Sequence, residues 1–148
     1  MSEALTALYA GDAGRARDLL SPDEELTVFE AAAFGRLDRL QRLLRDDPAA
    51  ASSLSGDGFT PLHLAVFGGQ EEAVRVLIAH GAEIDAVSTA GFAQVTPLGT
   101  AAFVRSLPLA RLLLEAGADP AACDGGALET AEANGDDELA RLLRADAT

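Results

Sequence analysis

Thr60-Pro61-Leu62-His63-Leu64-Ala65-Val66-Phe67-Gly68-Gly69, followed one helix later by His80-Gly81-Ala82, is the stretch that decides how this chain is read. Thr60 can accept from the free N–H groups that open a helix, and Pro61 suits the first helical position because it has no N–H to orphan there. Leu62, Leu64 and Ala65 supply a buried side, and Phe67-Gly68-Gly69 ends the helix in a tight turn. Ala73, Val74, Leu77 and Ile78 then recur at spacings of three and four, the apolar stripe of a second helix, and Gly81 stops it. The segment predicts two short helices around a glycine turn.

Working outward, the same plan repeats. When the chain is stacked so that the turn glycines coincide, five rows appear at Gly11, Gly35, Gly69, Arg105 (out of line) and Gly135, with steps of 24, 34, 36 and 30 residues. Every row carries an alanine four residues before this slot (Ala7, Ala31, Ala65, Ala101, Ala131). Every row also carries a leucine eight residues after it (Leu19, Leu43, Leu77, Leu113, Leu143). In the fourth row Thr96-Pro97-Leu98 opens the first helix and Ser106 with Pro108 opens the second, so Pro108 starts a helix instead of breaking one.

The Thr60–Ala65 hexapeptide with Gly69 and His80-Gly81-Ala82 closely resembles an ankyrin repeat, with its T-P-L-H-x-A signature and period of about 33 residues. Thr96-Pro97-Leu98, Leu112-Leu113-Leu114 and Glu115-Ala116-Gly117-Ala118-Asp119-Pro120 give a second match, although Gly99 replaces the motif's histidine and Arg105 its glycine. Gly56-Asp57-Gly58-Phe59 resembles the family's finger turn. The alanine, glycine and leucine skeleton extends the likeness over the whole chain, with the specific motifs falling between about residue 56 and 120.

The resemblance implies an all-α ankyrin-repeat solenoid of about five stacked helix-turn-helix units, the first and last acting as caps, with β-turn fingers between the central repeats. Residues 1–148 are read as one domain, with rows at approximately 2–21, 24–55, 58–88, 94–122 and 125–146. The short first step leaves no room for a finger, so Ser21-Pro22-Asp23 is expected as a direct turn. Gly91-Phe92-Ala93-Gln94-Val95 should enlarge one finger, and Cys123-Asp124-Gly125-Gly126 should form a shortened one.

In this family, the resemblance further implies, partners meet the concave side made by finger tips and first helices. Tyr9, Phe34, Phe67 and Phe103 with Val104 fall in the two positions just before the glycine slot, while Phe59 and Phe92 lie in fingers. Two readings stay open. The rings form a partner-binding ridge, since aromatic anchors often dominate interface energy, or they pack between rows and fill space left by alanine-rich helices. His63 is implied to make hydrogen bonds between neighbouring turns, and His80 sits at a helix end where positive charge suits the carbonyls.

Composition narrows the function classes. The net charge of −13 repels phosphate backbones and anionic lipid headgroups, so neither nucleic acid nor a membrane is expected as partner. No apolar run approaches the roughly 20 residues of a membrane span. Glu3 stands where a signal peptide would be basic, so the Met1–Ala10 stretch is read as a helix. With Cys123 as the single cysteine no intrachain disulfide forms, and a cytoplasmic location is the default expectation. Arg36, Arg39, Arg42 and Arg45, accompanied by Asp38, Asp46 and Asp47, read as a solvated outer face. The acidic runs at Asp23-Glu24-Glu25 and Asp136-Asp137-Glu138 precede helices, where carboxylates complement the dipole.

No nucleophile with a base, phosphate loop, paired catalytic carboxylates or metal-ligand spacing stands out, so no catalytic residue, cofactor or metal is expected. The chain is read as a non-enzymatic module that binds another protein carrying a basic patch, with self-association possible. The alternatives are small-ligand binding and an acidic nucleic-acid mimic acting as an inhibitor.

Overall fold

The computed structural model describes residues 2–91 and 94–146. They form α-helices with two short 3-10 turns and no sheet, gathered into two compact units, Met1–Ala82 and Glu83–Thr148. The first unit holds three helix pairs: α1 Glu3–Tyr9 with α2 Ala13–Asp18, α3 Val28–Ala33 with α4 Leu37–Asp46, and α5 Pro61–Phe67 with α6 Glu71–Ala79. The second holds two: α7 Pro97–Phe103 with α8 Leu107–Glu115, and α9 Ala122–Ala133 with α10 Asp137–Asp146. Within each unit first helices pack on first helices and second on second, α3 against α5 and α4 against α6, then α7 against α9 and α8 against α10. That is nearest-neighbour stacking, in which no pair buries its apolar stripe alone.

The glycine column has a backbone cause, and the alanine column stands at a fixed distance from it. At the end of α5 the Gly69 N–H donates to the Val66 carbonyl at 3.0 Å and the Gln70 N–H to the Ala65 carbonyl at 2.8 Å, the two bonds of a Schellman motif. The same pair of bonds recurs after α1, α3, α7 and α9, each time with the column alanine (Ala7, Ala31, Ala101, Ala131) as the distant acceptor. The motif requires a left-handed residue at its turn, and Gly11, Gly35, Gly69 and Gly135 have φ of 83°, 67°, 72° and 68°. Arg105 fills the slot after α7 at φ 58°. Buried alanines at the acceptor position let the first helices approach closely. At Gly68 the approach is so close that a Cβ would overlap the Ala33 carbonyl oxygen.

Helix starts follow the side chains that cap them. Ser2, Asp12, Thr27, Thr60, Thr96, Ser106 and Asp136 each accept from a backbone N–H three residues on. At Thr27 and Thr60 the cap is reciprocal, with Glu30 and His63 returning to the cap residue's own N–H. The Asp136 run opens α10 as expected, whereas Asp23-Glu24-Glu25 itself coils into a 3-10 turn after Pro22.

The leucine column holds in three rows only. Leu77, Leu113 and Leu143 are fully buried, each removing side-chain area worth about 1.5–3 kcal/mol. In the second row Leu44 is fully buried and Leu43 only half. The slot four after the glycine is apolar in the later rows (Ala73, Leu109, Leu139) but is Arg39 here, whose Nε–H donates to the Leu26 carbonyl at 3.0 Å. With that guanidinium at the helix edge, the apolar stripe turns by one residue. In the first row α2 stops at Asp18, so Leu19 lies beyond it and stays exposed.

Around Gly56-Asp57-Gly58 the Gly58 N–H donates to the Ser55 carbonyl and the Ser55 N–H to the Phe59 carbonyl, closing a reverse turn. The Ser88 N–H donates to the Val95 carbonyl at 2.9 Å, and the Val95 N–H to Ser88 Oγ at 3.0 Å. These bonds pin the base of the longest connection, of which Phe92 and Ala93 lie outside the described residues. The short finger expected at Cys123–Gly126 falls on the start of α9, which begins at Ala122 and carries Cys123 in the left-handed region at φ 57°. The reason lies just upstream: the Ala121 N–H donates to Asp119 Oδ1 and the Ala122 N–H to the Asp119 carbonyl, a turn that runs directly into the helix.

Candidate functional site

The Schellman turns place the residues just before the glycine slot at the exit of each first helix, and the aromatic candidates were read from that position. In the first unit three of them meet. The rings of Tyr9 and Phe67 stand edge to face with centroids 5.6 Å apart at 76°, and Tyr9 and Phe59 are tilted at 6.2 Å. Phe59 also leans on the His63 ring at 5.9 Å. Tyr9 and Phe67 come from rows one and three. The intervening row carries Ala33 in the same slot, and its lack of atoms beyond Cβ leaves the space in which rings two rows apart can touch.

The Tyr9 hydroxyl donates to Asp57 Oδ2 at 3.4 Å. Partial burial, the Asp57 charge and this hydrogen bond, in that order, push the phenol well above its ordinary pKa, because all three penalise the phenolate. Asp57 is a partner that the sequence offered only as a turn residue. Phe59 is buried, Tyr9 and Phe67 are half-buried, and Phe34 is half-buried without a ring contact among the described residues.

In the second unit Phe103 ends α7 with 64% of its surface exposed, followed by half-buried Val104 and exposed Arg105. In the next row Asn134 Nδ2 donates to the Ala102 carbonyl at 3.4 Å, tying the exit of α9 to that of α7. Phe92, the remaining candidate, lies outside the described residues.

Both histidines act on backbone. Nδ1 of His63 accepts from the Thr60 N–H at 3.3 Å and pairs with Thr60 Oγ1 at 2.8 Å, closing the α5 cap. The Nδ1–H of His80 donates to the Val76 carbonyl at 2.9 Å at the end of α6. Cys123 Sγ–H donates to the Gln94 carbonyl. No cluster of three His, Cys, Asp or Glu side chains able to hold a metal ion occurs among the described residues. A shallow hollow of about 510 Å³ lies on the first helix pair between Glu3, Thr6, Asp12, Arg15 and Leu19, a mixed charged and apolar lining. No described helix is long and apolar enough to cross a membrane.

Comparison with known proteins agrees with this geometry. Over 69 residues the chain is 38% identical to Ankyrin repeat domain-containing protein 49 of Bos taurus, covering 47% of this chain and 29% of that protein. It is 33% identical over 108 residues to Zinc finger CCCH domain-containing protein 33 of Oryza sativa subsp. japonica, covering 69% of this chain and 18% of that one. Against human Protein phosphatase 1 regulatory subunit 27 it is 33% identical over 85 residues, which is 57% of this chain and 53% of the relative. The chain thus spans less than a third of the first two relatives and about half of the third. Residues 28–124 match the family of ankyrin repeats in three copies. That match, joined to the Thr-Pro-Leu-His cap and the recurring glycine turns, places the chain in the ankyrin-repeat family.

Proposed function

We propose that this chain binds another protein through the exits of its first helices, with Phe103 and Val104 as the contact in the second unit and Tyr9, Phe34 and Phe67 as that in the first. Ankyrin repeats are generally non-enzymatic protein–protein interaction modules, and one relative is named as a regulatory subunit of a phosphatase. The observation that carries the reading is Phe103: a phenylalanine that keeps 64% of its surface in water sits where the equivalent Phe67 is half-buried. Covering such a ring removes area worth about 1.5–3 kcal/mol before association costs, a large share of what one anchor can supply. With 24 acidic against 11 basic residues, the complementary partner surface is basic, and its affinity falls as salt rises.

Affinity capture from native lysate tests this by comparing the wild type with Phe103→Ser, whose exposed site leaves the core intact. A protein retained by the wild type and lost by the variant is the expected result. Equal retention by both would remove the α7 exit from the binding surface.

A further inference from the structure

Resting on that reading, we infer that Arg105 is a specificity determinant that receives a carboxylate of the bound protein, set beside an apolar side chain that covers Phe103. Four of the five first-helix turns satisfy their left-handed position with glycine, which has no Cβ to oppose it. Only the turn after α7 carries a side chain there, at φ 58°, a conformation that costs an L-residue stability. The turn itself gains nothing from it. The Schellman bonds after α7, Arg105 N–H to Ala102 and Ser106 N–H to Ala101, match those made by the glycine rows.

What the residue adds is an exposed guanidinium, in no ion pair among the described residues, two positions from the largely exposed Phe103 ring. Arg15, Arg17, Arg39, Arg42, Arg45, Arg111 and Arg141 also make no ion pair there, yet they sit in helices where arginine costs little and no exposed ring adjoins them in sequence. Arg105 combines backbone cost, free charge and an apolar neighbour. On a chain with a net charge of −13, such a cation beside an exposed ring fixes register: basic groups of the partner meet the excess carboxylates, and the partner's carboxylate pairs where its apolar neighbour covers Phe103. The planar guanidinium favours bidentate pairing, which a point charge reproduces poorly.

A random peptide library displayed on phage, selected on the immobilised full chain, is the probe. Peptides with an acidic residue next to an aromatic or aliphatic one should be enriched on the wild type and lost on Phe103→Ser. Arg105→Gly should require more denaturant to unfold than the wild type and still lose about tenfold in affinity for those peptides, the scale of one charge-assisted pair. A merely structural arginine cannot give that combination, because its removal relieves the backbone. Peptides that depend on Phe103 but bind Arg105→Gly undiminished would overturn the role of Arg105 and leave the binding surface standing. If no enriched peptide depends on Phe103, the surface itself is wrong and the inference falls with it. An Arg105→Gly chain no more stable than the wild type would likewise remove its premise.

Discussion

At the scale of the residue, Tyr9 joins rows one and three through two ring contacts and a hydrogen bond to Asp57. Its phenol is pushed above the ordinary value near 10, first by burial and then by the Asp57 carboxylate. The folded state therefore holds the proton more tightly than the unfolded one, so the stability linked to it is fully present below pH of about 10 and drains away as pH climbs above that value. The composition makes this measurable. The chain has one tyrosine and no lysine, so between about pH 9.5 and 11.5 no other side chain has its ordinary titration. Urea midpoints recorded across that window should fall with pH for the wild type and stay nearly level for Tyr9→Phe, which keeps the ring. Parallel slopes in the two proteins would mean that the phenol reaches water in the fold and that the Asp57 contact carries no weight.

At the scale of the element, α3, α5 and α7 share a threonine cap but differ three residues on, where Glu30, His63 and Gly99 stand. Glu30 and His63 return to the cap and close the box, whereas Gly99 supplies only its N–H, at 3.0 Å from Thr96 Oγ1. A Cβ at Gly99 would meet Thr96 Oγ1 at 3.5 Å and Val95 Cβ at 3.6 Å, ordinary contact distances. Gly99→Ala should therefore stabilise the chain by about 0.5–1 kcal/mol, by removing unfolded-state freedom that a helical position does not use. A chemical-denaturation midpoint that drops would show that the α7 start has no room for a methyl group. The element scale is also where sequence columns carry most. The glycine slot was visible because a Schellman turn needs a left-handed residue, and the alanine at fixed spacing before it because close helix packing needs a small side chain there; Arg105 keeps the turn although it breaks the pattern. The leucine column does not mark burial at Leu19, where α2 ends at Asp18, nor at Leu43, where the rotation of α4 accompanies Arg39 reaching the Leu26 carbonyl, a contact between elements. The 30-residue step places a shortened finger at Cys123-Asp124-Gly125-Gly126, but Asp119 closes a turn upstream of it, a contact that row spacing does not contain. The aromatic positions were likewise legible, but Ala33 in the row between decides that Tyr9 and Phe67 touch, and no single row contains that information.

At the scale of the whole molecule, charge is the dominant property. Acidic residues outnumber basic ones by 24 to 11, and the ion pairs among the described residues, such as Arg36 with Asp23, Arg75 with Glu71 and Arg144 with Glu132, all lie at the surface. Exposed pairs of this kind contribute about 0–1 kcal/mol each, and salt weakens them. Repulsion among the remaining carboxylates is screened by the same salt, with a Debye length of about 10 Å at 0.1 M, and it acts over the whole surface. The two effects oppose one another. With few pairs to lose and a large excess charge to screen, relief of repulsion wins, so Tm should rise as NaCl goes from about 0.02 M to about 0.3 M. The same screening weakens attraction to a basic partner, so complex formation should move the opposite way over that range. A Tm that falls with salt would mean that the arginines already neutralise their surroundings, and the charge argument for a basic partner would fail while the contact at Phe103 kept its own test.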